Sequence, residues 1–408
     1  FRKSEGNVRG SDAFHGADGP LTVSDPRHLN ALTPVFLEAA NQAGFEATED
    51  FNGARQKGFG LYQTTTREGS RCSSAVAYLR PARKRPNLKI ITKATASRIV
   101  FEDGRASAVV YAVAGKGGFC EAASREVILC GGSINSPQLL MLSGVGPAAH
   151  LHQHGIPVVA DSPGVGGNLQ DHLDACVLHK CTQNITYDST SPMLAGLQFL
   201  LFKHGPGTSN VAESGGFWTS PLAEDERPDI QFHFVPAQLD DHGRNKMPGS
   251  GYTLHACFLR PKSRGRLTLT GNSIAQKPRV DAGYLSDAGG FDMKVMLAAV
   301  KLSRQLLAQP AFDAYRGPEV FPGEALQSDA ELENFIREKA ESIYHPVGTC
   351  KMGAVDDADA VVDSQCRVKG VRGLRVVDAS VMPKLIGGNT NAPTIMLAER
   401  VADMIRTG

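Results

Sequence analysis

The sequence predicts a mixed α/β (α+β) fold in two domains, one of which is assembled from separate stretches of the chain. A length of 408 residues, 41% of them hydrophobic, is enough to bury two sizeable cores. An apolar strand at 126–130 passes through glycines into a helix, as in parallel α/β units. The strands between 230 and 270 alternate apolar and polar residues instead, which is typical of antiparallel sheets.

The overall charge and the cysteines exclude several classes of protein. The formal net charge is +1, from 43 basic and 42 acidic residues, so no long-range field attracts nucleic acid. The 8 cysteines form no C-x-x-C pair, which favours free thiols in a reducing compartment over a zinc ribbon or a redox dithiol. We therefore expect a cytoplasmic protein without a nucleic-acid partner.

Membrane contact is limited by the length of the apolar runs. The chain has no run of about eighteen apolar residues, the length that a spanning helix needs. The best candidate is the short stretch 194–202, which leaves peripheral contact with the inner membrane open. The first residue is Phe1 and no signal peptide precedes it, so we expect an internal start.

The first part of the chain contains a helix and several strands. Residues 1–79 form a turn-rich opening segment with an amphipathic helix at 32–43. Strands are predicted at 88–92, 96–101 and 106–113. The basic residues at 80–85 are broken by prolines and lack interleaved aromatics, so they indicate a solvated linker and not a nucleic-acid surface.

A strand-glycine-helix unit follows. The strand at 126–130 leads through Gly131-Gly132 into a helix at 137–142 capped by Ser136. Glycine lets a phosphate approach a helix N-terminus, so this order is typical of dinucleotide-binding domains. A G-x-G-x-x-A match at 144–149 follows a helix and lacks the required context.

His150 and His154 have the spacing of helical zinc ligands. No carboxylate or third ligand stands near them in a recognisable pattern, and a polar helix face is the more common origin of such a pair. We therefore expect no metal.

Residues 176–340 have the pattern of a second domain. Strands at 230–235, 252–259 and 266–270 predict an antiparallel sheet with one face toward a core or cleft, and helices are expected at 291–307 and 329–339. Glu213 is a candidate pocket acid for a cationic substrate. A surface or turn acid is at least as common, so we do not assign Glu213 to catalysis.

Two C-terminal stretches carry the candidate chemistry. His345 precedes Pro346, which disfavours helix at the histidine and places it on a loop or strand end. Histidine can take a proton from a hydroxyl near neutral pH, and Asn389, in a Gly-rich turn before an apolar helix, can donate to the same oxygen. On chemistry alone, a hydrogen-bonded structural histidine is the more common case.

Two long blocks resemble one known family. The first combines YHPVGTCKMG at 344–353, LRVVDASVMP at 374–383 and GGNTNAPT at 387–394, and the second is GSINSPQLLMLSGVG at 132–146. In order and spacing they resemble the glucose-methanol-choline (GMC) family of flavin oxidoreductases, most closely its choline and aliphatic alcohol dehydrogenase branch. The resemblance implies a discontinuous, Rossmann-like FAD-binding domain at 80–175 and 341–408. It also implies a substrate-binding domain at 176–340, joined by 1–79, whose antiparallel sheet roofs the flavin.

The resemblance implies a reaction and roles for the two candidate residues. A primary alcohol, aliphatic or choline-like, is oxidised to an aldehyde, and the hydride passes to N5 of FAD. His345 is the implied general base, and Asn389 holds the same oxygen. The implied electron acceptor is a quinone or oxygen.

The resemblance also implies contacts with FAD. Ala96 is the implied contact at the adenine end. Asp378 and Ala379 are implied at the diphosphate and ribityl chain. The implied contacts at the isoalloxazine ring are Asn391, Pro393 and Thr394. Core packing is the alternative role for Ala379 and Pro393.

One part of the family pattern has no match. The family's opening strand, G-x-G-x-x-G turn and ribose-binding acid do not occur in residues 1–408, so we expect another segment or chain to supply them. Two other functions stay open: a lyase of the same fold, such as a hydroxynitrile lyase, and a fragment that binds no flavin.

Overall fold

The computed structural model describes residues 1–114 and 116–407, and the chain divides into two compact units. Unit 1 comprises Phe1–Arg83, His172–Arg260 and Gly290–Ile343. Unit 2 comprises Lys84–Asp171, Pro261–Gly289 and Tyr344–Gly408. The sequence-based division places 261–289 within the domain at 176–340, whereas these residues pack in unit 2.

Most of the strands are short. In chain order they are β1 (Glu5–Asn7), β2 (Leu21–Val23), β3 (Gly58–Leu61), β4 (Thr66–Arg67), β5 (Ser70–Arg71), β6 (Ala94–Glu102), β7 (Arg105–Val113), β8 (Gly118–Ala122), β9 (Val127–Leu129), β10 (Val145–Gly146), β11 (Ala160–Asp161), β12 (Leu173–Cys181), β13 (Ser214–Trp218), β14 (Ile230–Val235), β15 (Gly251–Phe258), β16 (Arg266–Thr268), β17 (Arg279–Asp281), β18 (Arg316–Phe321), β19 (Glu341–Ser342) and β20 (Leu374–Val376).

The helices vary from a single turn to several turns. They are α1 (Leu32–Gln42), α2 (Arg80–Ala82), α3 (Gly132–Leu142), α4 (Ala148–Gln153), α5 (Pro192–Phe202), α6 (Phe291–Leu307), α7 (Asp329–Lys339) and α8 (Asn391–Thr407). A π-helical turn at Ala75–Leu79 leads directly into α2.

Unit 1 is built on a seven-stranded antiparallel sheet. Its order is β18-β12-β15-β14-β13-β3, with β19 also paired to β12. Helices α1 and α6 pack against it. Phe36 of α1 stacks on Phe234 with ring centroids 4.6 Å apart, and Tyr252 stacks on Phe312 at 4.9 Å. These four rings are fully buried and form the centre of the core.

Unit 2 combines small sheets with α3. Strands β6, β7 and β8 form an antiparallel sheet, while β9 and β20 pair in parallel with Val127 opposite Leu374. The core joins these strands to α3 through buried residues such as Leu140 and Val376. At their carboxyl ends, β9 leads toward Gly132 and β20 toward Asp378, so these two segments meet.

Several predicted elements are confirmed and a few are wrong. The bounds of α6, α7 and β14 match the predicted ones. The strand predicted at 88–92 is absent, and Leu88 and Ile90 are exposed, because a short apolar run forms a strand only when another strand pairs with it. The predicted strand at 266–270 does form in part, as β16, but it pairs with β17 in unit 2 and not with the large sheet.

Candidate active site

His345 and Asn389 lie side by side in unit 2. The amide Nδ2 of Asn389 donates to Nε2 of His345 over 3.3 Å. His345 is 8% exposed, whereas Asn389 is open to solvent. The amide Nδ2 can only donate, so the contact fits an Nε2 that accepts. One oxygen at hydrogen-bond distance, about 2.8 Å, from both nitrogens fits this spacing, so both side chains can act on a single hydroxyl.

Asp171 fixes the backbone at the histidine. Its Oδ1 accepts the N–H of His345 at 2.8 Å, and its Oδ2 accepts the hydroxyl of Tyr284 at 2.5 Å. The preceding residue, Tyr344, has φ +65°, a left-handed conformation that costs a residue with a side chain some strain. The bond from Asp171 holds the chain just after this turn and so sets the direction in which His345 leaves the loop.

Asn168 and Gln170 join the loop that carries His345 to the segment before Asn389. Gln170 and Val347 exchange both backbone hydrogen bonds, at 3.0 and 2.8 Å. The side chain of Gln170 donates to the carbonyl of Pro383 at 3.1 Å and accepts the N–H of Leu385 at 3.1 Å. Asn168 donates to the same Pro383 carbonyl at 3.2 Å. Asn168 therefore acts as a structural anchor.

Helix α3 is hydrogen-bonded to the loop that carries His345, because the proline in the helix leaves one helix carbonyl without its usual donor. The helix begins at Gly132, earlier than the predicted 137, so Pro137 lies inside it. Proline has no N–H to donate to the carbonyl of Ser133 one turn back. That carbonyl instead accepts the hydroxyl of Thr349 at 2.7 Å, and the hydroxyl of Ser133 donates to the carbonyl of Pro346 at 2.6 Å. The two sequence blocks that resemble the GMC family are thus in direct contact.

Asp378, a predicted FAD contact, uses its carboxylate on its own chain. Oδ2 accepts the N–H of Gly132 at 2.9 Å and the hydroxyl of Ser136 at 2.6 Å. Oδ1 accepts the N–H and the hydroxyl of Ser380 at 2.8 and 2.5 Å. The four donors occupy the buried carboxylate, so a cofactor contact at this position falls to the backbone.

The two predicted alanine contacts lie on different elements. Ala379 begins the 3₁₀ turn Ala379–Val381 and packs beside Val347 and Met382. Ala96 is half-buried on β6, opposite Tyr111 of β7, and β6 packs against α3. Core packing accounts for the position of Ala379, and the FAD contact of each alanine stays a prediction.

Asn391, Pro393 and Thr394 form the first turn of α8. Asn391 is exposed, and the other two are half-buried. Thr394 closes the turn by donating its N–H and its hydroxyl to the carbonyl of Thr390, at 3.1 and 2.7 Å. The amino end of this 17-residue helix carries a partial positive charge that favours a neighbouring anionic group.

The residues present fit a bound dinucleotide. The carboxyl ends of parallel strands β9 and β20 are where open α/β sheets bind their ligands. At Gly132, φ is +76° and a Cβ would meet no atom within 4 Å, so the backbone is open there. Ile128 and Ile134, on either side of this turn, are 42% and 38% exposed and offer apolar surface.

Glu213 is fully buried and saturated with donors. Oε2 accepts the N–H of Asn30 at 2.7 Å and the hydroxyl of Thr33 at 2.6 Å, and Oε1 accepts the hydroxyls of Ser209, at 2.5 Å, and Tyr187. Burial, together with the bond to Glu213, raises the pKa of Tyr187, which keeps its donating proton. These bonds make Glu213 a structural anchor of unit 1.

Two further histidines, His150 and His172, also serve structural roles. His172 is fully buried, and its Nε2 lies 3.2 Å from the carbonyl of Leu259. Nε2 of His150 accepts the N–H of Leu269 at 2.9 Å, and burial, with His154 nearby, lowers the pKa of His150. His150 is therefore neutral and holds the end of β16.

Sequence reasoning missed Asp171 and Tyr284, which carry no local signal, and an acid-histidine pair in unit 1. On β12 and β15, Oδ2 of Asp174 lies 2.5 Å from Nδ1 of His255. Burial disfavours the charged imidazole, but Asp174, with help from Glu341, outweighs it and raises the pKa of His255. Asp174 pairs with Cys257 in the strand register, so correct strand pairing could have found this neighbour.

A possible metal cluster also lies in unit 1. Asp241, His242 and Glu341 place their ligand atoms within 4.8 Å of one another. Nδ1 of His242 is 3.2 Å from Glu341, and Asp241 is 3.0 Å from Arg244. These ion pairs account for the cluster, and the expectation of no metal stays a prediction.

A histidine beside an amide donor can move a proton but cannot accept electrons. Oxidation therefore needs a bound redox group, and the carboxyl ends of β9 and β20 can take a dinucleotide. The class that this fold and site define is a dinucleotide-dependent oxidoreductase.

Comparisons with known proteins specify the class further. Models of the GMC oxidoreductase family match residues 4–174 and 261–398. The oxygen-dependent choline dehydrogenase of Brucella ovis is 47% identical over 409 residues, which cover 99% of this chain and 74% of the relative. The alcohol dehydrogenase (acceptor) of Pseudomonas putida is 48% identical over 414 residues, with the same coverage of 99% and 74%. A structure of formate oxidase from Aspergillus oryzae RIB40, determined for its FAD modification, matches with a TM-score of 0.90 and 25% identity, covering 99% of this chain and 76% of that one.

The chain belongs to the GMC oxidoreductase family. It is a FAD-dependent oxidoreductase that acts on CH–OH donors, which confirms the fold class, cofactor and reaction type expected from the sequence. Within the described residues, each helix is too short or too polar to cross a membrane.

Proposed function

We propose that this enzyme oxidises a primary alcohol, aliphatic or choline-like, to the aldehyde, with His345 as the general base and Asn389 as the donor to the reacting oxygen. The observation that carries the proposal is the 3.3 Å contact between Nε2 of His345 and Nδ2 of Asn389. Two nitrogens at this spacing can hold one hydroxyl oxygen between them.

The residues of the chain act on the hydroxyl group. Neutral His345 takes the hydroxyl proton at Nε2, while the amide of Asn389 stabilises the negative charge that develops on the oxygen. Asp171 holds the backbone N–H of His345, so the ring meets the substrate already oriented. Bound FAD supplies the acceptor for the hydride that leaves the carbinol carbon.

The predicted FAD contacts are part of the proposal. Ala96 would meet the adenine end, the backbone of Asp378 and Ala379 the diphosphate and ribityl chain, and the first turn of α8 the isoalloxazine ring. The support is the open carboxyl end of β9 and β20 and the partial positive charge at the start of α8.

The identity of the alcohol and of the electron acceptor is the finer part of the proposal. The relatives named above include a choline dehydrogenase that is oxygen-dependent and an alcohol dehydrogenase that uses an acceptor. For this chain, Glu213 is engaged with four donors of unit 1, so it gives no support to recognition of a cation. We therefore prefer a neutral aliphatic alcohol as the substrate, with a quinone or oxygen as the electron acceptor.

The turn that holds the FAD diphosphate is proposed to come from sequence outside residues 1–408. No G-x-G-x-x-G follows a strand in these residues. Among the described strands, β9 pairs with β20 alone, although parallel sheets are usually larger and covered on both faces. Further strands are therefore expected beside β9.

A cytoplasmic location with peripheral contact at the inner membrane is also proposed and is supported by the exposed helix α5.

Anaerobic reduction of the FAD-loaded enzyme tests the proposed substrate. The panel compares primary aliphatic alcohols, aldehydes, choline and 3,3-dimethylbutan-1-ol, which has the shape of choline without its charge. We expect bleaching of the flavin by the neutral alcohols. Fast reduction by choline with none by its neutral analogue would replace the preferred substrate by a cationic one, and reduction by no alcohol would overturn the proposal.

A further inference from the structure

Helix α5 is apolar on every side, and more than half of its circumference is exposed. Its sequence, PMLAGLQFLLF, contains Gln198 as its one polar side chain, and none of its residues is buried. The most exposed apolar side chains, between 52% and 79% accessible, are Met193, Leu194, Leu197, Leu200, Leu201 and Phe202. A helix that is hydrophobic all round is normally buried, so this surface is suited to an apolar environment outside unit 1.

The helix is well defined at both ends but too short to cross a bilayer. Ser191 caps it by accepting the N–H of Leu194, and Lys203 ends it in the left-handed conformation. Its 11 residues extend about 16 Å at 1.5 Å per residue, whereas a spanning helix needs about 20 residues. At a membrane, α5 would therefore lie at the surface and would not span the bilayer.

The surroundings of α5 are basic. Lys203 is exposed at its carboxyl end, and its ammonium group lies 4.0 Å from the centroid of the Phe199 ring. The hairpin formed by β4 and β5 lies next to the carboxyl end of α5. A Cβ built on Gly69 of this hairpin would be 3.3 Å from the carbonyl oxygen of Lys203. This hairpin presents exposed Arg71, whereas the guanidinium of Arg67 donates to the hydroxyl of Thr22 and the carbonyl of Pro20. Glu68 is its one acid, and residues 189–212 contain no Asp or Glu.

We propose that α5, with a basic rim of Arg71 and Lys203, binds the surface of a membrane that contains anionic phospholipid. The apolar side chains enter the boundary between headgroups and acyl chains, and the basic rim meets the lipid phosphates. Stable peripheral binding takes two signals, and the helix and its rim supply both. A second copy of the chain is disfavoured because it would bring the two basic rims together. The proposal does not depend on the identity of the alcohol.

Vesicle binding of the full-length, FAD-loaded enzyme tests this proposal. Sedimentation is compared with vesicles of phosphatidylcholine alone and of phosphatidylcholine mixed with phosphatidylglycerol. We expect strong binding to the mixed vesicles, and a loss of about tenfold or more in partitioning for the pair Leu197→Gln and Leu201→Gln. Lys203→Glu with Arg71→Glu should abolish the preference for the anionic lipid.

Val355→Gln provides the matched control, because Val355 is 88% exposed and lies in unit 2. It should bind vesicles like the parent. Circular dichroism and the rate of FAD reduction should be unchanged in all variants, since none of these residues belongs to the candidate active site. Failure of the parent to bind, or equal binding by the Leu197/Leu201 variant, would overturn the proposal. Loss of a dimer in that variant by sedimentation velocity, without vesicle binding by the parent, would assign α5 to a second copy.

Discussion

At the scale of single residues, the proposed role of His345 depends on what surrounds it. Many histidines of the chain are structural, as His150 and His172 illustrate by bonding to backbone groups. His345 differs in that an exposed amide, Asn389, is its neighbour at Nε2, while its own backbone is held by Asp171. A histidine whose backbone is held and whose Nε2 lies beside an amide donor is suited to proton transfer.

We predict that His345→Ala in the FAD-loaded enzyme slows flavin reduction by about two to four orders of magnitude, since it removes the general base. Asn389→Ala should cost less, about two to three orders of magnitude at most, since it removes one donor to the oxygen. Stopped-flow absorbance gives both rates, and substrate affinity should change far less. His152→Ala, at an exposed helical position, is the control. A His345→Ala enzyme within a few-fold of the parent would remove this residue from catalysis.

His15 in unit 1 provides a pH-dependent contribution to stability. The residue is 7% exposed, and its ring nitrogens lie 2.9 Å from Glu5 and 2.9 Å from Asp50. Burial opposes the charged form, but the two carboxylates outweigh it and raise the pKa of His15. The stabilisation is complete below the unfolded pKa and is lost as the pH rises through the folded pKa.

We therefore expect His15→Gln to lower the free energy of unfolding by about 1–3 kcal/mol at acidic pH, the range for hydrogen bonds to charged groups. The loss should shrink toward alkaline pH. Urea unfolding at about pH 5.5 and about pH 9 measures both values, provided that unfolding is reversible. His152→Gln serves as the control. A loss that is equal at both pH values would show that His15 acts without its charge.

At the scale of elements, the carboxylate of Asp378 links the end of β20 to the start of α3. Its donors at Gly132, Ser136 and Ser380 are buried or partly buried. Removing the acceptor leaves these donors without partners, which costs more than the hydrogen bonds themselves contribute.

We predict that Asp378→Ala lowers the free energy of unfolding by about 3 kcal/mol, because several donors are left unpaired. Asp356→Ala, at an exposed loop position, should change it by no more than about 0.5 kcal/mol. Denaturant unfolding measures both. If Asp378→Ala kept its stability and lost FAD, the carboxylate would be a direct cofactor contact instead of a link between elements.

At the scale of the whole molecule, unit 2 is proposed to hold part of the FAD-binding domain. The relatives extend beyond the aligned region, which covers 74% of their length. The strand β9 has one partner among the described strands, and its Ile128 is 42% exposed. Such an edge favours association with further strands.

Expression of residues 1–408 alone is predicted to give a poorly soluble protein without flavin, because the diphosphate lacks a G-x-G-x-x-G turn. Adding a segment with this turn, in cis or as a second chain, should restore solubility and a yellow protein. Absorbance at the flavin band measures the FAD content per chain. A soluble fragment with one FAD per chain would show that the contacts within unit 2 are sufficient.

The sequence by itself determined several of the helices and strands and the motifs of the family. The bounds of α6 and α7 follow from helical periodicity and, for α7, from a capping box between Ser328 and Glu331. The pair His345 and Asn389 follows from motifs of a few residues each. Such signals are local, so they can be read without the fold.

Only the tertiary structure decided which side chains share a contact. The bond from the N–H of His345 to Asp171 joins residues 174 positions apart, and the one from the N–H of Gly132 to Asp378 joins residues 246 apart. Glu213 has the sequence context of a pocket acid, yet donors from distant segments saturate it. The partners of a buried carboxylate depend on how the whole chain packs, which periodicity over ten or twenty residues does not specify.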